Sequence, residues 1–265
     1  MGRADWPDWP DWYVGQPATG KGFGRHLYTT NRHPLFYVQI NKCGCTFLRN
    51  LLFYIDNNRP HPFSDRIHSF DHEFVKASAI PAEVLTASKY VFCAVRDPID
   101  RFLSLYFDKL CDVENQRDIW MRKLFEAEAG LQLGADLNLE IHRANCLKAL
   151  NWIGLNLDGK TEAKTNPHWQ RQSVVLGRVS AFRPKLLDLD NLSQQLAQLL
   201  LPLVPDIVEV ISKITERNES IKPFSRAEIM NDELATAIHT VYPDDINLIS
   251  QARRSWASGD YQRQD

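Results

Sequence analysis

A lysine, a glycine and a threonine crowd into one stretch, I-N-K-C-G-C-T, from Ile40 to Thr46. The apolar run Leu35 to Ile40 stops there, and a helical pattern begins. Those residue types suit an anion. Gly44 lets a ligand approach the backbone closely. Amide N–H groups in a strand-to-helix turn point at the ligand, and the helix dipole favours negative charge. Lys42 adds a full charge, Thr46 a hydroxyl, and Arg49 a second cation one turn later. The same residues also fit an ordinary βα turn with Thr46 as helix N-cap.

A second cluster follows, V-R-D-P-I-D-R-F-L-S-L-Y, from Val95 to Tyr106. Arg96 stands at the carboxyl end of an apolar run, where open α/β sheets bind ligands. Arg offers a planar fork to phosphate oxygens, and Ser104 adds a hydrogen bond. Two such clusters suit a ligand with two separated phosphates.

The first loop departs from the nucleotide-binding pattern G-x-x-x-x-G-K-[ST], because Lys42 precedes Gly44. A metal-dependent kinase or NTPase is therefore the alternative reading, with Asp97 placed to mimic a metal-binding Asp. Cys43 and Cys45 supply two metal ligands, and no second Cys/His pair has zinc spacing, so no metal is expected. A thiol redox protein and a non-catalytic binding module are two further alternatives.

The elements that must position these residues alternate. Leu35 to Ile40 and Tyr90 to Val95 read as buried strands of a parallel sheet. Phe47, Leu48, Leu51, Leu52 and Ile55 form a helical stripe, as do Phe102, Leu103, Tyr106, Phe107 and Leu110. Helices are predicted over 81–87, 117–129, 139–155, 192–201, 207–214, 226–242 and 245–256, a strand over 183–189, and loops over 57–71 and 157–166. The pattern predicts an α/β fold with a mostly parallel sheet flanked by helices, plus helical insertions. Residues 1–34, with three Asp-Trp pairs, read as an extended N-terminal arm, and residues 35–265 as one domain.

The net charge of −2 excludes a surface built to bind nucleic acid, so any anion site is local. Five scattered cysteines, an odd number, point away from a disulfide framework. No apolar run approaches the ~20 residues that span a bilayer, and the acidic N-terminus lacks the regions of a signal peptide. A cytoplasmic protein is expected.

The two clusters together resemble the sulfotransferases that use 3′-phosphoadenosine 5′-phosphosulfate (PAPS), above all the carbohydrate (family 2-like) group with its P-K-x-x-C-T loop. Asn41 stands where that loop has Pro. N-P-H-W-Q-R-Q (Asn166 to Gln172) and I-H-T-V-Y-P-D-D-I-N-L-I (Ile238 to Ile249) are similar to two later segments of the group. The resemblance implies a P-loop-like three-layer fold and sulfuryl transfer to a carbohydrate or other hydroxyl, without a metal. The product is adenosine 3′,5′-bisphosphate (PAP). It implies that Lys42, Cys43, Gly44, Cys45 and Thr46 hold the 5′-phosphosulfate and that Arg96 and Ser104 hold the 3′-phosphate. Asp97 and Arg101 are read as loop-stabilising partners and Tyr106 as core.

Lys42 is the expected stabiliser of the leaving group. The acceptor hydroxyl needs a base, and histidine has the right unperturbed pKa. His68 and His72 share a helical face if their segment is an α-helix, with Asp71 or Glu73 to orient one of them. His168, beside Trp169, is the third candidate, or lines the nucleotide or acceptor groove; a glutamate base is also open. Arg117, Arg122, Lys123, Arg143 and Lys148 either contact an anionic glycan or mark a solvated helix face.

Overall fold

The computed structural model describes residues 27–76, 80–112, 118–134, 137–214 and 222–259. The Asp-Trp pairs of the expected arm lie outside them. In chain order the strands and helices are β1 (Leu27–Thr29), β2 (Phe36–Val38), α1 (Cys45–Asn57), β3 (Val75–Lys76), α2 (Ala82–Ala87), β4 (Val91–Val95) and α3 (Pro98–Leu105). Then come α4 (Ile119–Ala129), α5 (Leu139–Leu157), α6 (Gln172–Gly177), β5 (Lys185–Asp188), α7 (Leu192–Leu200), α8 (Ile207–Lys213), α9 (Arg226–Ile229), α10 (Asp232–Val241) and α11 (Pro243–Ser258).

The described residues form two compact units. The first takes the chain up to Val95, residues 172–214, and the chain from Ile249 on; the second takes Arg96–Arg171 and residues 222–248.

The first unit carries a five-stranded sheet in the order β3-β1-β2-β4-β5. The strands β2, β4 and β5 run parallel, with Val38 opposite Cys93 and Val95 opposite Asp188. On the other side of β2, β1 and β3 are antiparallel. Every residue of β4 is buried, which is why it reads as an unbroken apolar run. Strand β1 pairs with β2 and so belongs to the sheet, not to an arm. Its three residues are too few to show a period. Helix α1 buries ten consecutive residues from Thr46 to Ile55. It packs against α8 and against a 3₁₀ segment, Ser64–Glu73, in the region predicted as loop.

The second unit is helical around its own apolar core, which includes Phe102, Tyr106, Phe125, Trp152 and Trp169. Asp97 caps α3, accepting from the amides of Ile99 and Asp100, with Pro98 in the first turn. Past Leu105 the helix widens into a π turn, Tyr106–Cys111. The helix predicted over 226–242 is two: α9 stops at Met230, and Asn231 restarts the chain by accepting from the amide of Leu234. Arg143 donates to the final carbonyls of α9, Glu228 at 2.7 Å and Ile229 at 3.2 Å, and Lys148 to Gly130 at the end of α4. Arg122, 6% exposed, donates to the carbonyl of Asp112. These three cations tie helix ends together, Lys148 while exposed; Lys123 is exposed as a solvated face would have it, and Arg117 lies outside the described residues.

Candidate functional site

In the first unit, the loop between β2 and α1 is shaped by two left-handed residues. Lys42 has φ +68° and Gly44 φ +73°. A non-glycine residue there is strained, and such strain concentrates at functional turns. Cys43 N–H donates to the Ile40 carbonyl at 3.3 Å, closing the turn. The first helical bond of α1 runs from Leu48 N–H to the Gly44 carbonyl at 3.0 Å. The amides of Cys45, Thr46 and Phe47 therefore have no acceptor within the helix, and the N-cap, Gly44, has no side chain to offer them. Thr46 is the second helical residue, not the cap. Gly44 also answers a shortage of space: a Cβ there would lie 2.8 Å from Leu189 Cδ1 and 3.4 Å from Leu192 Cδ2.

The side chains of the loop divide. Lys42 and Cys45 are half-exposed, and Thr46 is buried. Cys43 is fully buried, its thiol donating to Gln172 Oε1 at 3.2 Å. Its thiol is thus packed inside the protein and not presented to solvent. Thr46 Oγ1 lies 3.1 Å from His68 Nε2. The structure thus brings His68 onto this loop.

The expectation that His68 and His72 share a face does not hold. Their segment is 3₁₀, with breaks at Arg66 and Phe70, and at three residues per turn positions i and i+4 diverge. His72 is exposed, with its ring 6.1 Å from that of Phe70. The expected orienting carboxylates are engaged elsewhere. Asp71 pairs with Arg49, and Glu73 Oε2 lies 3.1 Å from His61 Nε2. His61 Nδ1 accepts from the amide of Phe63, so its Nε2 carries the proton given to Glu73.

Arg49 is also corrected. It is 3% exposed and turned inward to Gln39, Asp71 and Tyr28.

In the second unit, Arg96, half-exposed, is the first residue after β4, and Ser104 lies buried two turns into α3. Arg101 and Asp245, both buried, face each other at 4.0 Å. Arg101 also reaches the carbonyls of Pro167 and His168. The ionic partner of this arginine is thus Asp245, while Asp97 caps α3 and lies 3.7 Å from Arg226. His168 donates from its backbone N–H and from Nδ1 to Asn166 Oδ1, at 2.9 and 2.7 Å, leaving Nε2 as its basic nitrogen. Trp169 is not a groove residue. It is fully buried, its indole donates to Asn156 Oδ1 at 2.8 Å, and its ring meets Phe125 and Trp152 edge-on. Tyr106 is core, as expected.

In an α/β protein, a parallel strand that feeds a Lys-x-Gly-x-Thr turn and a helix suits a phosphate or sulfate group. A family model described as "Sulfotransferase family" matches residues 25–249. The chain belongs to this sulfotransferase family, so its chemistry is sulfuryl transfer. No curated protein and no solved structure matches it. Among the described residues, no helix is long and apolar enough to cross a membrane.

Proposed function

We propose that this sulfotransferase takes its sulfuryl group from PAPS and passes it to a hydroxyl of a carbohydrate or glycolipid. The observation that carries this reading is the 3.1 Å pair of Thr46 Oγ1 and His68 Nε2 on the Lys42–Thr46 loop. It joins a donor-binding hydroxyl to a base.

Sulfuryl transfer resembles phosphoryl transfer: an in-line displacement governed by positioning and charge. In this reading the α1 amides, Gly44 and Thr46 hold the 5′-phosphosulfate in a P-loop-like turn. Lys42 stabilises the charge that develops on the bridging oxygen as PAP leaves. Arg96 and Ser104 hold the 3′-phosphate. Positive charge comes from these side chains, with no metal taking part. His68 accepts the proton of the attacking hydroxyl as its oxygen bonds to sulfur; His72 and His168 are the alternatives.

The Thr46 hydroxyl has one proton to donate. When it donates to the donor's oxygens, it can only accept from His68. His68 then carries its proton on Nε2, and Nδ1 is the basic nitrogen.

Thermal stabilisation by PAP, compared with ATP–Mg²⁺ and 5′-AMP, tests the reading. PAP is expected to stabilise selectively, and Arg96→Ala to erase its advantage over 5′-AMP. Equal stabilisation by ATP–Mg²⁺ would favour a kinase-like protein. A labelled-sulfate transfer screen over glycans and small alcohols identifies the acceptor.

A further inference from the structure

The 3₁₀ segment that bears His68 is held largely by contacts at its margins, among them Phe70 stacked on Phe63 and Glu73 paired with His61. Of Ser64–Glu73, Ile67 is the one buried residue, and 3₁₀ geometry is a weak scaffold over ten residues. Two polar clamps from α1 secure its ends. At the start, Asn50 Nδ2 donates to the carbonyls of Ser64 and Thr46, each at 3.0 Å. At the far end stands Arg49. Its Nε donates to Gln39 Oε1 at 2.7 Å, and its two terminal nitrogens donate to Asp71 Oδ1 and Tyr28 Oη. Its Cζ lies 4.2 Å from the centre of the Tyr28 ring and 5.7 Å from that of Phe74.

The geometry points to Arg49 as a positioning residue: through Asp71 it holds the segment at the height where His68 meets Thr46. This deepens, and rests on, the reading of His68 as base. Arg49 sits three residues after Thr46 on the same rigid helix, so loop and histidine are registered against one element. A planar fork is needed. Gln39, Asp71 and Tyr28 come from three directions, and the point charge of lysine cannot serve all three. A displacement of ~1 Å at such a remove can lower turnover ~10²-fold.

The test uses Asp71→Asn, which changes a half-exposed side chain and leaves the chain able to fold, with Arg49→Lys as second variant. Three readouts apply to the full chain: PAP affinity, the ¹⁵N resonances of His68, and amide exchange across residues 64–73. Both variants are expected to keep PAP affinity within about twofold, as for a site that does not touch the ligand. Both should shift the His68 resonances and speed exchange in the segment. In the parent, Thr46→Val should move the His68 signals; in the Asp71→Asn background it should no longer do so. An unaltered His68 spectrum in both variants overturns the proposal, as does a loss of PAP affinity matching the loss of the Thr46–His68 bond. Failure of the parent protein to bind PAP sinks the functional reading instead, and His68→Ala with full sulfuryl-transfer activity sinks the base assignment alone.

Discussion

A methyl group placed on Gly44 would stand 2.8 Å from Leu189 Cδ1, inside the distance real Cβ atoms tolerate. The residue's φ of +73° adds a second penalty. Left-handed geometry costs an L-residue ~1–2 kcal/mol, before any displacement of Leu189. Gly44→Ala is therefore expected to lower stability by more than that alone and to weaken PAP binding. Chemical denaturation measures the first and titration the second. Unchanged stability would mean that the turn is not held as described.

Lys42 holds φ +68° with a side chain attached. Lys42→Gly should relieve ~1–2 kcal/mol of strain against ~0.5–1 kcal/mol of added chain entropy. The melting temperature is expected to stay or rise while turnover falls ~10²–10³-fold. Lys42→Ala should show the same loss of turnover without the gain in stability. An equal fall in PAP affinity and turnover in both variants would assign Lys42 to ground-state binding.

The Thr46–His68 pair predicts a ligand-dependent tautomer. On adding PAP, the His68 ¹⁵N pattern should move toward protonation at Nε2. Thr46→Val should abolish the tautomer change. Identical spectra with and without PAP in the parent protein would separate Thr46 from the donor.

The hydroxyl of Tyr37 is fully buried and finds no hydrogen-bond partner among the described residues. Burial pushes it well above the ordinary phenol range, with the nearby thiols adding to the effect. A desolvated, unpaired hydroxyl costs ~1–3 kcal/mol. Tyr37→Phe keeps the ring stacked on Phe92 at 5.5 Å and is expected to be neutral or stabilising. A loss above ~1 kcal/mol would show that the hydroxyl has a partner in solution.

His142 predicts a pH effect in the second unit. Its Nδ1 lies 2.9 Å from Tyr106 Oη, and burial lowers its pKa. The folded chain thus holds the neutral ring, while the unfolded chain takes up a proton near pH ~6.5. The contribution is complete above that value and is lost as pH falls through the lower, folded pKa. His142→Asn, which keeps a polar atom near Nδ1, should be less stable at neutral pH but lose less stability between pH 7.5 and 5 (roughly the range over which an unperturbed imidazole becomes charged). Parallel melting curves for both proteins across that range would exclude the effect.

Local order is written along the chain. Apolar runs marked β2, β4 and β5, and periodicity marked most of the helices, because burial on one or both faces imposes a residue pattern. Lys42, Gly44, Thr46, Arg96 and Ser104 stand out for the same reason: turn chemistry and anion chemistry are carried by adjacent residue types. Two short strands left no such trace. Strand β1 has three residues and β3 two, and they exist through pairing with distant partners.

Only the tertiary structure decided among side chains whose types serve equally well inside or outside. Arg49 and Trp169 read as plausible ligand contacts and Arg101 as a partner of Asp97, yet each is buried against another partner: Asp71, Asn156 and Asp245 respectively. His68 and His72 are equivalent by spacing if the segment is an α-helix; on the 3₁₀ path both are exposed, and His68 meets Thr46. Residue type and spacing determine what chemistry a position can supply. Which atoms it meets depends on contacts across many residues, and no local pattern encodes those.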